Sequence, residues 1–242
     1  MRAVIGGSGL EQLDGLVIEH RHQVDTPYGE PSAPVIQGRY EGQSLLFLSR
    51  HGERHQWPPH RVNYRANIHA LKQLGAQQIV AVAAVGGLVE PNGPGALNVP
   101  DQILDYTWGR PQSFYDDGQG VEHIDFSQPY TPALRQSLLE AAQTAGEPAV
   151  DGGVYAATQG PRLETAAEVQ RLIRDGAHLV GMTGMPEAAL AREAELDYAC
   201  LAVVANWGAG IADSELSLDE IYQTLARSMQ RVRHVLAAWV AA

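Results

Sequence analysis

The chain of 242 residues carries 28 acidic residues against 17 lysines and arginines, a formal charge of -11, with a pI near 5.2. That balance excludes a general binder of nucleic-acid backbones, while leaving room for a few arginines gathered around one small anion. With 45% apolar and 19% charged residues, the composition suits one compact α/β domain over residues 1–242 that needs no disulfide staples.

Its single cysteine, Cys200, has no partner in the chain and points to a reducing cytoplasm. Met1-Arg2 runs straight into an apolar strand without the apolar core of a signal peptide. No run approaches the roughly 18 apolar residues needed to span a membrane. Ala3-Val4-Ile5 reads as a buried strand feeding the glycine turn Gly6-Gly7-Ser8-Gly9. Residues 25–34, with Pro27, Gly29, Pro31 and Pro34, form a loop. Val35-Ile36 and Leu45–Leu48 flank a turn at Glu41-Gly42, a hairpin whose second strand delivers Ser49-Arg50-His51. After a loop over 52–61, Ile68, Leu71 and Leu74 mark a helix from Asn63 that Gly75 stops.

Gln78 to Val85 contains the apolar run Ile79–Val85, of strand length and hence a central strand, ending at Gly86-Gly87. An open α/β sheet places its ligand crevice at such strand ends. Ile103-Leu104 is a short strand, 108–130 is irregular, and 133–145 is helical. Strands near 152–157, 178–182 and 198–205 then alternate with helices near 164–174 and 186–194. Leu216 to Val240 closes the chain as a helix with one apolar stripe from Leu218 through Ile221 and Leu225 to Val240. The fold class is therefore α/β: a twisted mixed central sheet flanked by helices.

Five segments carry chemistry. The Gly6–Gly9 turn can cradle an anion on its backbone N–H groups, with the Ser8 hydroxyl beside them, or serve only as a turn. It lacks the third glycine of a dinucleotide fingerprint, since Gln12 stands there. Arg50 offers a planar fork for phosphate and His51 an imidazole. The Arg50-His51-Gly52 triplet after a strand also looks like the nucleophile segment of histidine phosphatases, with His51 attacking the phosphorus of a monoester. His51 and His55, four apart, lack the glutamate placement of a zinc protease and read as two exposed loop histidines rather than a metal pair. Glu164 follows a glycine-proline turn and could merely favour a helix N-terminus. Thr183-Gly184 lie just before a helix opened by Pro186, where anions bind. Asn206 ends an apolar strand, where its amide can read a heteroaromatic edge or simply start a turn.

The order of these segments is more informative than any one of them. GGSG, SRHGERH, VNYRANIHALK, AAVGGL, RPQSFYD, GPRLET, GMTGMPEAALARE and ANWGAG follow one another from residue 6 to residue 210, within a match that covers roughly residues 3 to 225. This series resembles the methylthioadenosine phosphorylase branch of the trimeric purine nucleoside phosphorylase family. A histidine phosphatase explains one motif and leaves seven aside. The resemblance implies phosphorolysis of a purine nucleoside, with inorganic phosphate as co-substrate, no other cofactor and no metal. It places phosphate among Ser8, Arg50, His51, the backbone at Ala83-Ala84, and Thr183. It sets Met182 under the ribose and puts Asn206, followed by Trp207-Gly208, at the base. Asn206 and His51 are the implied catalytic pair. A homotrimer is implied as well, in which His123 reaches a neighbour's 5′ pocket.

Three departures from that branch sharpen the expectation. The branch has aspartate where Asn206 stands and a small hydroxyl where Glu164 stands. Glutamate with asparagine is instead the pair of the 6-oxopurine phosphorylases. A carboxylate accepts from the N1–H of hypoxanthine or guanine, whereas adenine presents only a lone pair there. Near the start of the last helix, Leu218 and Ile221 occupy the place where 6-oxopurine enzymes carry a histidine for the 5′-hydroxyl. Two aliphatic residues favour a methylthio group, although both also fit the helix's core stripe. Leu163 replaces a phenylalanine that lies against the base, so stacking is either weaker or supplied by Trp207. The expected substrate is a 6-oxopurine nucleoside with a 5′-methylthio group. Inosine/guanosine phosphorolysis, methylthioadenosine phosphorolysis and a non-catalytic nucleoside binder are the alternatives.

Overall fold

The computed structural model describes residues 1–116, 118, 120–212 and 217–242. The first strand, β1 (Arg2–Gly6), is followed by β2 (Val17–His22) and by the hairpin β3 (Val35–Tyr40) and β4 (Gln43–Ser49). Next come α1 (Tyr64–Gln73), β5 (Gln78–Gly87), β6 (Leu97–Val99) and β7 (Gln102–Asp105). After α2 (Pro132–Thr144) lie β8 (Ala149–Asp151), β9 (Val154–Ala157), α3 (Ala166–Arg174) and β10 (Leu179–Gly181). The chain ends with α4 (Gly184–Glu193), β11 (Asp197–Trp207) and α5 (Leu218–Ala241). The strands form one mixed sheet, so the expected α/β class is borne out.

β5 organises that sheet. It pairs in parallel with β11 along its whole length, and its apolar residues point alternately to two covered faces. Ile79, Ala81, Ala83 and Val85 face a core shared with α1 and α4. Val80 and Val82 face the core built by α2 and α5. A strand buried on both faces reads as a continuous apolar run, which is why residues 78–85 were legible. The hairpin was legible for another reason. Glu41 and Gly42 both take positive φ, 50° and 75°, and Tyr40 pairs with Gln43 across them. A two-residue turn of that kind matches the twist of the flanking strands.

β2, β6 and β8 were not foreseen. β2 is exposed nearly throughout and pairs only with β3, so no apolar alternation announces it. β6 and β8 are three residues each, too short for a period to show. The last helix was expected from Leu216, which lies outside the described residues. Its described part begins at Leu218, capped by the Ser217 side chain.

Among the described residues, no helix is long and apolar enough to cross a membrane.

Candidate active site

The site begins as a gap in the sheet. On the edge of β5 opposite β11, β1 pairs only as far as Ala81, and β10 joins only at Gly86. Residues 82–85 therefore have no strand partner on that edge. The Val82 carbonyl accepts from Arg50 Nη1 at 2.8 Å. Strand alternation turns the Ala84 N–H to the same edge, where it remains a donor for a ligand.

Around the gap lies a cavity of about 540 Å³, lined among others by Ser8, Arg50, His51, Ala83, Ala84 and Thr183. Four of these arrive at the ends of three different strands. Ser8 follows β1, Arg50 and His51 follow β4, Thr183 follows β10, and the alanines lie within β5. The glycine turn is built for close approach. A Cβ on Gly7 would stand 2.5 Å from the Val82 oxygen and 2.8 Å from Arg50 Nη1. The Thr183 side chain makes no capping hydrogen bond to α4 and lines the cavity.

The expected arginine fork needs correction. Arg50 is only 1% exposed, and its Nε and Nη2 both donate at 2.7 Å to the carboxylate of Glu187. With Nη1 on Val82, three of its five N–H groups are committed, so two remain for an anion. Glu187 is fully buried and also accepts from the Tyr198 hydroxyl at 2.8 Å. Burial opposes the Arg50 charge, but the adjacent carboxylate outweighs it and raises the guanidinium pKa. Sequence reasoning missed Glu187. An acidic residue just after Pro186 looks like an ordinary helix-dipole partner, and only the fold turns it onto Arg50.

His51 is also not a cation. Burial and the neighbouring Arg50 push its pKa down to about 4. A carbonyl only accepts, so the 2.7 Å contact with the Trp57 oxygen places the proton on Nδ1. Nε2 then carries the lone pair and can accept from a P–OH group. His55 stacks on His51 with ring centroids 4.7 Å apart and contacts Glu11 at 3.0 Å. Burial works against the Glu11 charge, but the backbone N–H groups of Gly9 and Glu11 and the His55 side chain lower its pKa overall. With Arg50 balanced by Glu187 and His51 neutral, these three groups add no net charge to the anion end.

At the other end of the same cavity stand Leu163, Glu164, Met182, Asn206, Gly208 and Ala209. Glu164 is not a helix cap. Thr165 caps α3 through a capping box with Glu168, so the helix begins two residues later than expected and leaves the Glu164 carboxylate free. The Thr158 hydroxyl donates to Glu164 Oε1 at 2.6 Å, a second partner that sequence reasoning missed. A register shift in β11 between Val204 and Asn206 aims the Asn206 side chain. Its Nδ2 donates to the Trp207 carbonyl at 2.7 Å, leaving one N–H and Oδ1 for a ligand. Met182 packs onto the Glu164 loop, where a Cβ on Gly160 would come within 2.5 Å of its sulfur.

Trp207 does not reach this cavity. It follows Asn206 on the strand, and its ring lies against Gly93, whose Cβ would meet it at 3.2 Å. It therefore cannot replace the missing phenylalanine. The core-stripe alternative for Leu218 also fails, because that side chain is 61% exposed and lines the cavity with Ile221, Tyr222 and Leu225. Ile221 does both, packing against the α5 core as well. His123 is exposed and lies outside its own chain's cavity. Among the described residues, no three His, Cys, Asp or Glu side chains group as metal ligands would.

A model of the phosphorylase superfamily matches residues 1–241, and the chain belongs to that superfamily. The family read from the order of the motifs is thus borne out, and the histidine-phosphatase alternative falls away. A probable S-methyl-5′-thioinosine phosphorylase of Pseudomonas syringae pv. tomato is 54% identical over 97% of this chain and 96% of its own. A probable 6-oxopurine nucleoside phosphorylase of Thermococcus kodakarensis is 42% identical over 97% of this chain and 89% of its own. Among solved structures, methylthioadenosine phosphorylase from Schistosoma mansoni in complex with adenine superposes with a TM-score of 0.95 at 34% identity. That match covers 99% of this chain and 90% of that one.

Proposed function

We propose that this protein is a purine nucleoside phosphorylase acting on S-methyl-5′-thioinosine, releasing hypoxanthine and 5-methylthioribose 1-phosphate. The observation that carries the reading is the shared cavity of Glu164, Asn206, Leu218 and Ile221. A carboxylate steadied by Thr158 meets a base with N1–H, and aliphatic side chains stand near the start of α5. The relative from Pseudomonas supports this substrate by its name.

Inorganic phosphate is the co-substrate, and the reaction requires no metal or other cofactor. Phosphate occupies the anion end among Ser8, Arg50, His51, the Ala83-Ala84 backbone and Thr183. One oxygen of hydrogen phosphate dianion bonds to C1′ as the C1′–N9 bond breaks. The P–OH proton ends on the purine, which balances the charges of sugar phosphate and free base. His51 Nε2 holds that P–OH, Arg50 and Thr183 hold other oxygens, and Met182 lies under the ribose. Asn206 stabilises the electron-rich purine as it leaves, a hydrogen bond strengthening toward the transition state. Because Glu187 balances Arg50, the dianion keeps its charge to face the developing positive charge at C1′. The working form is a cytoplasmic homotrimer in which His123 completes the 5′ end of a neighbour's site.

The test is phosphorolysis of methylthioinosine, inosine, guanosine, methylthioadenosine and adenosine, with phosphate omitted as control. Methylthioinosine is expected to have the highest kcat/KM. Adenine-type substrates lose the N1–H donor, a mispairing of about 1–3 kcal/mol or more in specificity. A lead for methylthioadenosine overturns the base assignment. The relative from Thermococcus favours a second reading, an inosine/guanosine phosphorylase; a lead for inosine selects it.

A further inference from the structure

Arg110, first residue of the RPQSFYD segment, is nearly fully buried and lines no described cavity. Among the described residues, no carboxylate stands among its hydrogen-bond partners. Its Nη1 donates to the carbonyls of Met182 at 2.8 Å and Met185 at 2.7 Å. Its Nη2 donates to the carbonyls of Thr158 at 3.2 Å and Gln159 at 2.9 Å, and its Nε to the Gln159 side chain at 3.1 Å. The guanidinium also lies over the Tyr64 ring, 5.6 Å from its centroid, and the Tyr64 hydroxyl donates to the Pro59 carbonyl at 2.9 Å. A buried charge is expensive unless every donor is satisfied. Here the fork donates to the backbones of two separate loops, and also from Nη1 to the Tyr64 hydroxyl at 3.3 Å and from Nε to the Gln159 side chain.

Those loops have different tasks in the proposed reaction. The 158–160 loop follows β9 and leads to Glu164, and Thr158 itself donates to the Glu164 carboxylate. The 182–185 segment follows β10, opens α4, and carries Met182 and Thr183 on the ribose and phosphate sides. The segment reached through Tyr64 contributes Pro59, a third wall of the cavity. We infer that Arg110 is a positioning residue that ties the base-reading loop to the ribose- and phosphate-holding loop, so that base selection and phosphate attack share one geometry. The inference rests on the phosphorylase reading of the site. Lysine cannot take its place, because one ammonium cannot address carbonyls on two diverging strands of backbone as a planar fork does.

The experiment compares wild type, Arg110→Ala and Arg110→Lys on methylthioinosine and methylthioadenosine, with guanidinium chloride at low, non-denaturing concentration as a rescue arm. Wild-type phosphate-dependent turnover tests the phosphorylase reading by itself, before any variant is considered. Given turnover, Arg110→Ala is expected to lose on the order of 10²-fold in kcat/KM. Its KM values for phosphate and nucleoside should rise together, and its preference between the two nucleosides should shrink. Added guanidinium should restore activity and preference, while methylammonium chloride at equal concentration should not. Arg110→Lys keeps the test alive if the alanine variant does not fold, and should show the same loss of preference. Variants with a lower Tm but unchanged KM values and unchanged preference would reduce Arg110 to a fold-stabilising residue and overturn the inference. So would a guanidinium arm no better than the methylammonium arm.

Discussion

The two ends of the cavity are built on opposite principles. At the anion end, Arg50, His51, Thr183 and Glu187 are buried, and their hydrogen bonds run to backbone, to one another or to the buried Tyr155 and Tyr198 hydroxyls. At the far end, Leu218 and Tyr222 on α5 remain 61% and 65% exposed in the single chain, and Leu163 adds further exposed apolar surface. The buried end is organised before any ligand arrives, so its contribution is geometry and field. The exposed end gains only when something apolar covers it, whether the substrate's own 5′ group or a neighbouring chain. Reaction type is thus set by the rigid end and substrate choice by the open one.

The largest effect should come from separating the buried ion pair. Glu187→Ala leaves the Arg50 guanidinium without its carboxylate and should cost about 3–5 kcal/mol of stability, measured by urea unfolding. Adding Arg50→Ala to that variant should recover part of the stability while leaving the phosphate KM high. A phosphate KM equal to wild type in the double variant would remove Arg50 from the anion site and dissolve the contrast between the ends.

A smaller effect concerns His51, whose folded pKa of about 4 lies below its ordinary 6.5. The folded state favours the neutral ring, so its contribution is fully present above pH 6.5. It declines as pH falls toward 4, because the unfolded chain takes up the proton first. The total is at most about 3 kcal/mol. His51→Gln should flatten the fall in Tm across that window. An equally steep fall in the variant would show that the stability loss has another source.

The smallest effect belongs to the open end. Leu218→Ser should lower the ratio of methylthioinosine to inosine kcat/KM by a few-fold, on the order of 1 kcal/mol, with phosphate KM unchanged. A change in phosphate KM would mean that the two ends are not independent.

Sequence by itself determined the α/β class, the central strand, most helices and the family. Each rests on signals local in the chain: an apolar run buried on two faces, helical spacing around Ile68, or the order of eight motifs. It also brought forward Ser8, Arg50, His51, Glu164, Thr183 and Asn206, because glycine turns and strand ends are where side chains meet ligands. What tertiary structure decided was which of their polar groups are free. Arg50 and Glu187 are 137 residues apart in the chain, and no local pattern shows that one occupies the other. The burial that makes His51 neutral likewise comes from packing between distant segments. Trp207 and Asn206 are neighbours, yet a strand sends adjacent side chains to opposite faces, and the bulge at Ala205 determines which one enters the cavity. Leu218 fits the apolar stripe of α5 by spacing, but the stripe runs past the end of the core it packs against, and there the same leucine becomes part of the site.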